Sequence, residues 1–367
     1  MKKIRVFFII NCYSMGGGAE SLLTTVVNNL DESKFEIGIM EIIHSDKKVE
    51  PTKPHIKLYP YYTEADAPDR KPRMYYVYHE WDKVIAEYIP QDYDVYISYN
   101  YLKPTFLLPP NKKNISWIHG DVYDLTWPTM QEERELQNMS FQKARKIVCV
   151  SDNTAKSVTD LFPVHKDKVQ IIYNGIDVDK VKEKAQEYTD VELVNKSVLF
   201  VGRIEDNKNP LRALEVYKKV YDKDNEVHLY YLGFGDLSDA VREKSVEYGI
   251  DNNVHLLGYH QNPFPVIRQC GAVLMTSKSE GFPMSLLEAV ALDKPFVSTP
   301  VGGANTLSNG NICGYVTDDN DEAAEKLLFM VNNRGYYTPK CRESMKRFNL
   351  DTYIGQIEKL ILDVYNG

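Results

Sequence analysis

Residues 271–292 read GAVLMTSKSEGFPMSLLEAVAL, and the change of pattern inside this stretch decides the fold. Residues 271–275 form a continuous small-to-apolar run of strand length, as expected of a strand covered on both faces. Beyond the polar loop, Leu286, Leu287, Ala289 and Val290 suggest a largely buried helix. Pro283 fits the first helical position, where its missing N–H is not needed. A buried strand, a loop and a helix in succession make one βα unit.

The same alternation runs outward in both directions. Around this unit, strands are expected near 197–202, 227–232, 253–257, 295–299 and 312–316, with helices near 210–222, 237–248, 263–269, 284–292 and 321–332. An earlier series places strands near 4–10, 35–43, 94–99, 114–118, 146–150 and 168–172, with helices near 19–30, 75–88, 130–143 and 153–161. Two α/β series of similar size, joined near 173–180, predict two Rossmann-like domains, 1–175 and 176–348. In residues 349–367, Tyr353, Ile354, Ile357, Leu360, Ile361 and Val364 recur at helical spacing, which predicts a last helix packing back toward the first domain. Residues 51–73, rich in Pro, Lys and Tyr and without a period, read as a surface excursion.

Composition narrows the function. A chain of 367 residues with 43% hydrophobic and 26% charged residues is ordinary globular protein, not a disordered, collagenous or disulfide-stapled one. The formal charge of −8 leaves no basic footprint for nucleic acid, and the acidity is concentrated in the second half. The five cysteines form no CxxC or Cys/His cluster, so neither a disulfide framework nor a zinc site is indicated. The apolar start, Ile4–Ile10, is too short for a secretory leader and runs into Asn11, and no apolar span reaches membrane length. A cytoplasmic protein is expected.

Gly16-Gly17-Gly18 follows the first strand and opens the first helix, where backbone N–H groups can approach an anion with no Cβ in the way. It is not a dinucleotide fingerprint, since Ser21 stands where the third glycine belongs, and it is not a P-loop. A plain tight turn explains it equally well. In the second half, Gly202-Arg203 and Lys208 bring two cations to the carboxyl end of a strand, which suits a pyrophosphate, although a solvated loop would carry them too. The amides of Met284, Ser285 and Leu286 stand at the positive end of a helix dipole, and Glu280 lies in the loop before it. Glu288, further along the helix, is placed to accept hydrogen bonds from a ribose diol.

Taken together, these residues resemble the retaining glycosyltransferases of family 4, of the bacterial polysaccharide and glycan-assembly type. The resemblance rests on Gly202-Arg203 with Lys208, on Glu280 and Glu288 seven residues apart around Gly281-Phe282-Pro283, and on the early Gly17-Gly18-Ala19-Glu20. Trp117-Ile118-His119-Gly120, Asn174-Gly175-Ile176-Asp177, Gly233-Phe234-Gly235-Asp236, Leu257-Gly258-Tyr259 and Val301-Gly302-Gly303 extend it over nearly the whole chain, 44–110 excepted. It implies the GT-B fold, two Rossmann-like domains facing across a cleft. It also implies a nucleotide-sugar donor, a UDP-sugar ahead of a GDP-sugar, and a glycan or lipid-linked acceptor. Arg203 and Lys208 would hold the diphosphate, Glu288 the ribose and the backbone near Tyr259 the base. Glu280, with the loop from Gly281 to Leu286, would face the sugar. Gly17 and Gly18 would approach the diphosphate, and His119 would sit near the sugar, although a core histidine at a strand end is a rival account.

Neither a cofactor nor a metal is expected. The pairs Asp92/Asp94, Asp177/Asp179 and Asp222/Asp224 sit at a strand's amino end, a helix start and a polar turn. Two other readings stay open: a nucleotide-sugar epimerase on the same fold, and a non-catalytic partner subunit of a glycosyltransferase pair. Lys71, Arg73, Met74, Tyr75, Tyr76, Tyr78 and Trp81 mix basic and aromatic residues as a peripheral membrane contact would, against the alternative of an amphipathic core helix.

Overall fold

The computed structural model describes residues 2–14, 17–44, 53, 56–61, 73–126 and 130–367. Contacts divide the chain into two units, Met1–Asn174 with Tyr353–Gly367, and Gly175–Thr352. No described helix is long and apolar enough to cross a membrane.

The described part of the first unit holds a seven-stranded parallel sheet in the order β3-β2-β1-β4-β5-β6-β7. Its strands are β1 (Ile4–Ile10), β2 (Phe35–Glu41), β3 (Lys57–Pro60), β4 (Val95–Ser98), β5 (Lys113–Ile118), β6 (Ala144–Cys149) and β7 (Val169–Ile171). The apolar runs read from sequence are its centre: Val6 to Ile10, Ile115, Trp117 and Val148 are fully buried. Helices α1 (Gly18–Asn29), α2 (Arg73–His79), α3 (Trp81–Tyr88), α4 (Lys103–Phe106), α5 (Gln131–Lys143) and α6 (Asp152–Leu161) complete it in chain order.

The second unit carries a six-stranded parallel sheet in the order β10-β9-β8-β11-β12-β13. The strands are β8 (Ser197–Val201), β9 (His228–Leu232), β10 (Val254–Gly258), β11 (Ala272–Met275), β12 (Phe296–Ser298) and β13 (Gly314–Val316). Around them run α7 (Val178–Lys184), α8 (Pro210–Tyr221), α9 (Ser238–Glu247), α10 (Phe264–Ile267), α11 (Met284–Ala291), α12 (Ala304–Ser308), α13 (Asn320–Asn332) and α14 (Arg334–Met345). The last helix, α15 (Leu350–Asn366), joins the first unit from Tyr353 onward, burying Ile357, Leu360 and Ile361. There Glu358 accepts from the Lys34 ammonium at 3.0 Å and from the Asp31 N–H at 2.9 Å.

Several elements differ from the sequence reading. The excursion at 51–73 contains an edge strand, β3, too short and mixed to show a period, and the rest of that segment apart from 53, 56, 61 and the helix start at 73 lies outside the described residues. The helix expected at 75–88 is two helices broken at Glu80. Lys71 and the side chains of Arg73 and Met74 lie outside the described residues, but Val77 is buried and Tyr76, Tyr78 and Trp81 pack on the same core, as an amphipathic core helix would. Helix α14 is not among the elements read from sequence; it forms despite Gly335 and Pro339, and burial of Tyr337, Cys341, Ser344 and Met345 overrides their low propensity. The short α4 and α12 were also missed, having too few turns to show a period.

Candidate active site

In the second sheet β8 and β11 are neighbours although the chain runs from β8 to β9, so their carboxyl ends form the point where strand order reverses. Open α/β sheets bind ligands there. The two loops leaving these strands are fastened together. Lys278 N–H donates to the Asn207 carbonyl at 2.8 Å, the Asn207 amide donates to Ser279 O at 3.1 Å, and Thr276 Oγ1 donates to Asn209 O at 2.9 Å. Inside this frame Lys208 Nζ donates to Glu280 Oε1 at 2.6 Å, and Ser277 Oγ donates to the same oxygen at 2.7 Å. Both charged side chains are largely removed from water. Arg203 pairs with Glu205 at 2.9 Å, but its side chain is 74% exposed.

Glycine geometry sets how closely the strand ends meet. Gly202 and Gly233 have φ of +146° and +145°, where an L side chain is strained, and a Cβ on Gly233 would lie 2.0 Å from the Gly202 carbonyl oxygen. Gly233 N–H donates to Gly258 O at 2.8 Å, so the ends of β8, β9 and β10 approach through backbone alone. Two aromatic rings stand out into solvent here. Phe234 is 66% and Tyr259 71% exposed, with their rings edge-to-face at 6.5 Å. Tyr259 was expected at this place; the ring of Phe234 was not.

Helix α11 corrects two expectations. Pro283 is the residue before the first helical turn rather than in it, with ψ of 87°. The Leu286 N–H is not open to a ligand, since it donates to the Pro283 carbonyl at 3.0 Å, as Leu287 does at 3.1 Å. Gly281 and Phe282 are backed by the loop after β12, where a Cβ on Gly302 would fall 2.7 Å from Gly281 O and one on Gly303 would fall 2.4 Å from the Phe282 ring. Glu288 sits among buried Leu286, Leu287, Ala289 and Val290. Desolvation pushes its carboxyl up to about 7, and it has no hydrogen-bond partner among the described residues.

In the first unit the strand order reverses between β1 and β4. Gly16 lies outside the described residues. Gly17 precedes α1 in an extended conformation, and a Cβ there would meet the Glu20 carboxylate at 2.4 Å, whereas one on Gly18 would meet nothing within 4 Å. Burial raises the pKa of Glu20. His119 follows β5 with its ring 4.4 Å from that of Tyr99, whose hydroxyl lies 3.4 Å from the Tyr353 hydroxyl. Its Nε2 is buried without a hydrogen-bond partner, and burial pushes the imidazole down to about 3, so it is neutral. A buried carboxylate that sequence reading missed, Glu41, accepts from the N–H and hydroxyl of Ser14 at 2.8 Å each and meets His44 Nδ1. Spacing along the chain gave no signal for it, since the strand pairing of β1 with β2 makes this contact.

Five of the six aspartates in the acidic pairs have structural partners, and Asp179 stands in the first turn of α7. Asp94 accepts from the Arg5 N–H at 2.8 Å and Asp92 pairs with the Arg5 guanidinium. Asp177 caps α7 through the Lys180 N–H, while Asp222 and Asp224 pair with Lys218 and Lys196. Among the described residues no three His, Cys, Asp or Glu side chains stand together as metal ligands would.

Comparison with known proteins fits this geometry. The sequence model described as Glycosyltransferase Family 4 matches residues 16–180, and that of Glycosyl transferases group 1 matches 181–349. The chain is a family 4 glycosyltransferase. It is 24% identical over 366 residues, 95% of its length and 96% of the other, to the N-acetylgalactosamine-N,N'-diacetylbacillosaminyl-diphospho-undecaprenol 4-alpha-N-acetylgalactosaminyltransferase of Campylobacter jejuni. The O-antigen biosynthesis glycosyltransferase WbnH of Escherichia coli is 26% identical over 59% of each chain. Among solved structures, Anabaena Alr3699/HepE in complex with UDP matches with a TM-score of 0.73 at 15% identity, over 98% of this chain and all of that one. The two parallel-sheet, Rossmann-like units of this family 4 glycosyltransferase are those of the GT-B fold.

Proposed function

We propose that the chain is a retaining transferase that moves a sugar from a UDP-sugar to a glycan or lipid-linked acceptor in polysaccharide or glycan assembly. The observation that carries this reading is the fastened pair of loops after β8 and β11, which holds the Lys208 ammonium in a largely buried frame where sheets of this topology take ligands. The diphospho-undecaprenol in the name of the Campylobacter relative supports a lipid-linked acceptor, and the UDP in the Anabaena structure supports a uridine donor.

Breaking the anomeric bond leaves an oxocarbenium-like sugar and a nucleoside diphosphate. Lys208 and Arg203 neutralise that leaving group, each well-placed donor contributing about 3–4 kcal/mol to the transition state. Glu280 holds Lys208 in place and gives it up in part as the diphosphate arrives. Glu288 takes the ribose hydroxyls, His119 accepts or donates one hydrogen bond at the sugar, and Gly17 and Gly18 admit the diphosphate to the first unit's helix start. Attack comes from the face the leaving group departs, with a donor phosphate oxygen taking the acceptor's proton, and no divalent metal takes part.

The test is a panel of UDP- and GDP-sugars with undecaprenyl-diphosphate-linked acceptors, scored for transfer and for the anomeric configuration of the product. Transfer from a UDP-sugar that persists in excess chelator with an axial donor bond kept axial is the expected result. Inversion, or activity lost to chelator and restored by magnesium, would overturn this account of the leaving group.

A further inference from the structure

A cavity of about 320 Å³ opens at the opposite edge of the second sheet, at the amino ends of β11 and β12, lined among others by Gly271 and Pro295. It lies against the far end of α11 from the candidate active site. There the chain closes the helix with a left-handed residue that is not glycine: Asp293, at φ +61°. Asp293 N–H donates to Val290 O at 3.0 Å and Lys294 N–H to Ala289 O at 2.9 Å, the two bonds of a Schellman cap. Arg342 holds that aspartate with Nε at 3.0 Å and Nη2 at 2.7 Å from Oδ2. Asp293 is therefore held by Arg342, and it attracts the neighbouring Lys294 at a distance without a hydrogen bond or ion pair to it.

Two further cations face the cavity. Arg334 fixes its guanidinium on neutral acceptors, donating to Asn195 Oδ1 at 2.6 Å and Cys270 O at 2.7 Å, and so keeps its whole charge. The Lys294 ammonium has no hydrogen-bond or ion-pair partner among the described residues. Burial lowers its pKa. A partly desolvated ammonium beside an uncompensated guanidinium is costly unless an anion joins them. Thr338 and Gly335, whose backbone is unobstructed, line the cavity from the first turns of α14 and add neutral donors to the cations.

We propose that this cavity binds a small phosphate-bearing anion, with the Lys294 ammonium as its main counter-charge. Phosphate geometry suits the donor set, and a volume of about 320 Å³ leaves room for a hexose-sized group attached to it. The reading is independent of the transferase site, because the cavity and the loops after β8 and β11 lie at opposite ends of the strands.

The test is calorimetric titration of the full chain with inorganic phosphate and with glucose 6-phosphate, at constant ionic strength. Both probes are expected to bind saturably. Tighter binding of glucose 6-phosphate assigns the site to phosphomonoesters, and equal binding assigns it to free phosphate. Lys294→Met should weaken both by at least about tenfold, the effect of losing one charged hydrogen bond, while Lys294→Arg stays within about threefold. Lys208→Met should bind both probes as the unaltered chain does. No saturable binding, an undiminished affinity in Lys294→Met, or a loss in Lys208→Met that places the phosphate at the other edge of the sheet would each overturn the proposal.

Discussion

The two sheets share one strand order over six strands, β7 extending the first, and at both switch points loops leave adjacent parallel strands, but the loops are made differently. In the second unit, Lys208, Glu280, Ser277, Asn207 and Thr276 satisfy one another, and the strand ends of β8, β9 and β10 meet through glycine backbone. In the first unit, His119 Nε2 is buried without a partner and Gly18 faces open space. One switch point is fastened by a network of side-chain contacts; the other joins its loops through the Asn11 N–H and Asn100 Oδ1 at 3.2 Å and leaves His119 Nε2 and Asn11 Oδ1 unmet. Preorganised donors stabilise developing charge without reorganising at the moment of reaction. An unmet buried group costs stability until something arrives to satisfy it.

The largest effect expected from this difference is on the preorganised side. Lys208→Met should lower kcat by about 10²–10³, in the range for removing one transition-state donor, with a smaller change in donor KM. It also leaves the Glu280 carboxylate with Ser277 Oγ as its remaining donor and no counter-charge, so Lys208→Met with Glu280→Gln should recover stability without recovering rate. A pure KM effect, measured by initial rates over a range of donor concentrations, would mean that Lys208 binds substrate and transition state alike.

Next in size is the backbone contact. A methyl at Gly233 would sit 2.0 Å from the Gly202 carbonyl and require an unfavourable φ, so Gly233→Ala should cost about 3 kcal/mol or more of unfolding free energy. Denaturant titration measures it, and a loss below about 1 kcal/mol would show that the strand ends are less closely fitted than the two glycines imply.

The sequence made this half of the comparison readable because its chemistry is local. Arg203, Lys208, Glu280 and Glu288 lie on two βα units, each visible as an apolar run followed by a helical pattern. The first unit was legible as a sheet but not as a site. Glu41 meets Ser14 only because β2 lies beside β1, and His119 packs on the Tyr99 ring only because β4 lies beside β5, relations that no spacing along the chain encodes. What misled at Pro283 was finer still, a one-residue shift of the helix start that consumes the Leu286 amide.

Titration separates the two units by sign. Glu288 binds its proton more tightly when folded, its carboxyl lying at about 7 against an ordinary 4.5, so the native chain holds more protons between those values and stability falls as pH rises through that window. Glu288→Gln should therefore be more stable than the unaltered chain at pH 8 by roughly 3 kcal/mol and nearly equal to it at pH 4.5. His119 runs the other way. Its native imidazole lies at about 3 against 6.5, so the unfolded chain takes the proton first and stability falls as pH drops below 6.5. His119→Gln should remove about 2 kcal/mol of acid sensitivity between pH 6.5 and 5. Melting of the paired variants across pH 4.5–8 checks both, and parallel curves for variant and unaltered chain would mean that the two side chains are hydrated when folded.

The smallest effect expected is the most direct test of the unmet side. Gly18 is the first residue of α1, has no left-handed φ, and a Cβ there would meet nothing within 4 Å. Nothing inside the folded first unit requires glycine at this position. Alanine would instead restrict the unfolded chain, so Gly18→Ala should leave stability unchanged or raise it by up to about 1 kcal/mol. Gly17→Ala is the control, since its methyl would press on the Glu20 carboxylate at 2.4 Å. If Gly18→Ala is as stable as the unaltered chain and yet loses donor affinity, the glycine is kept for the approach of a ligand to the helix start. If it keeps full affinity and rate, the triple-glycine loop is a turn, and the first unit's share in holding the diphosphate falls to residues other than this one.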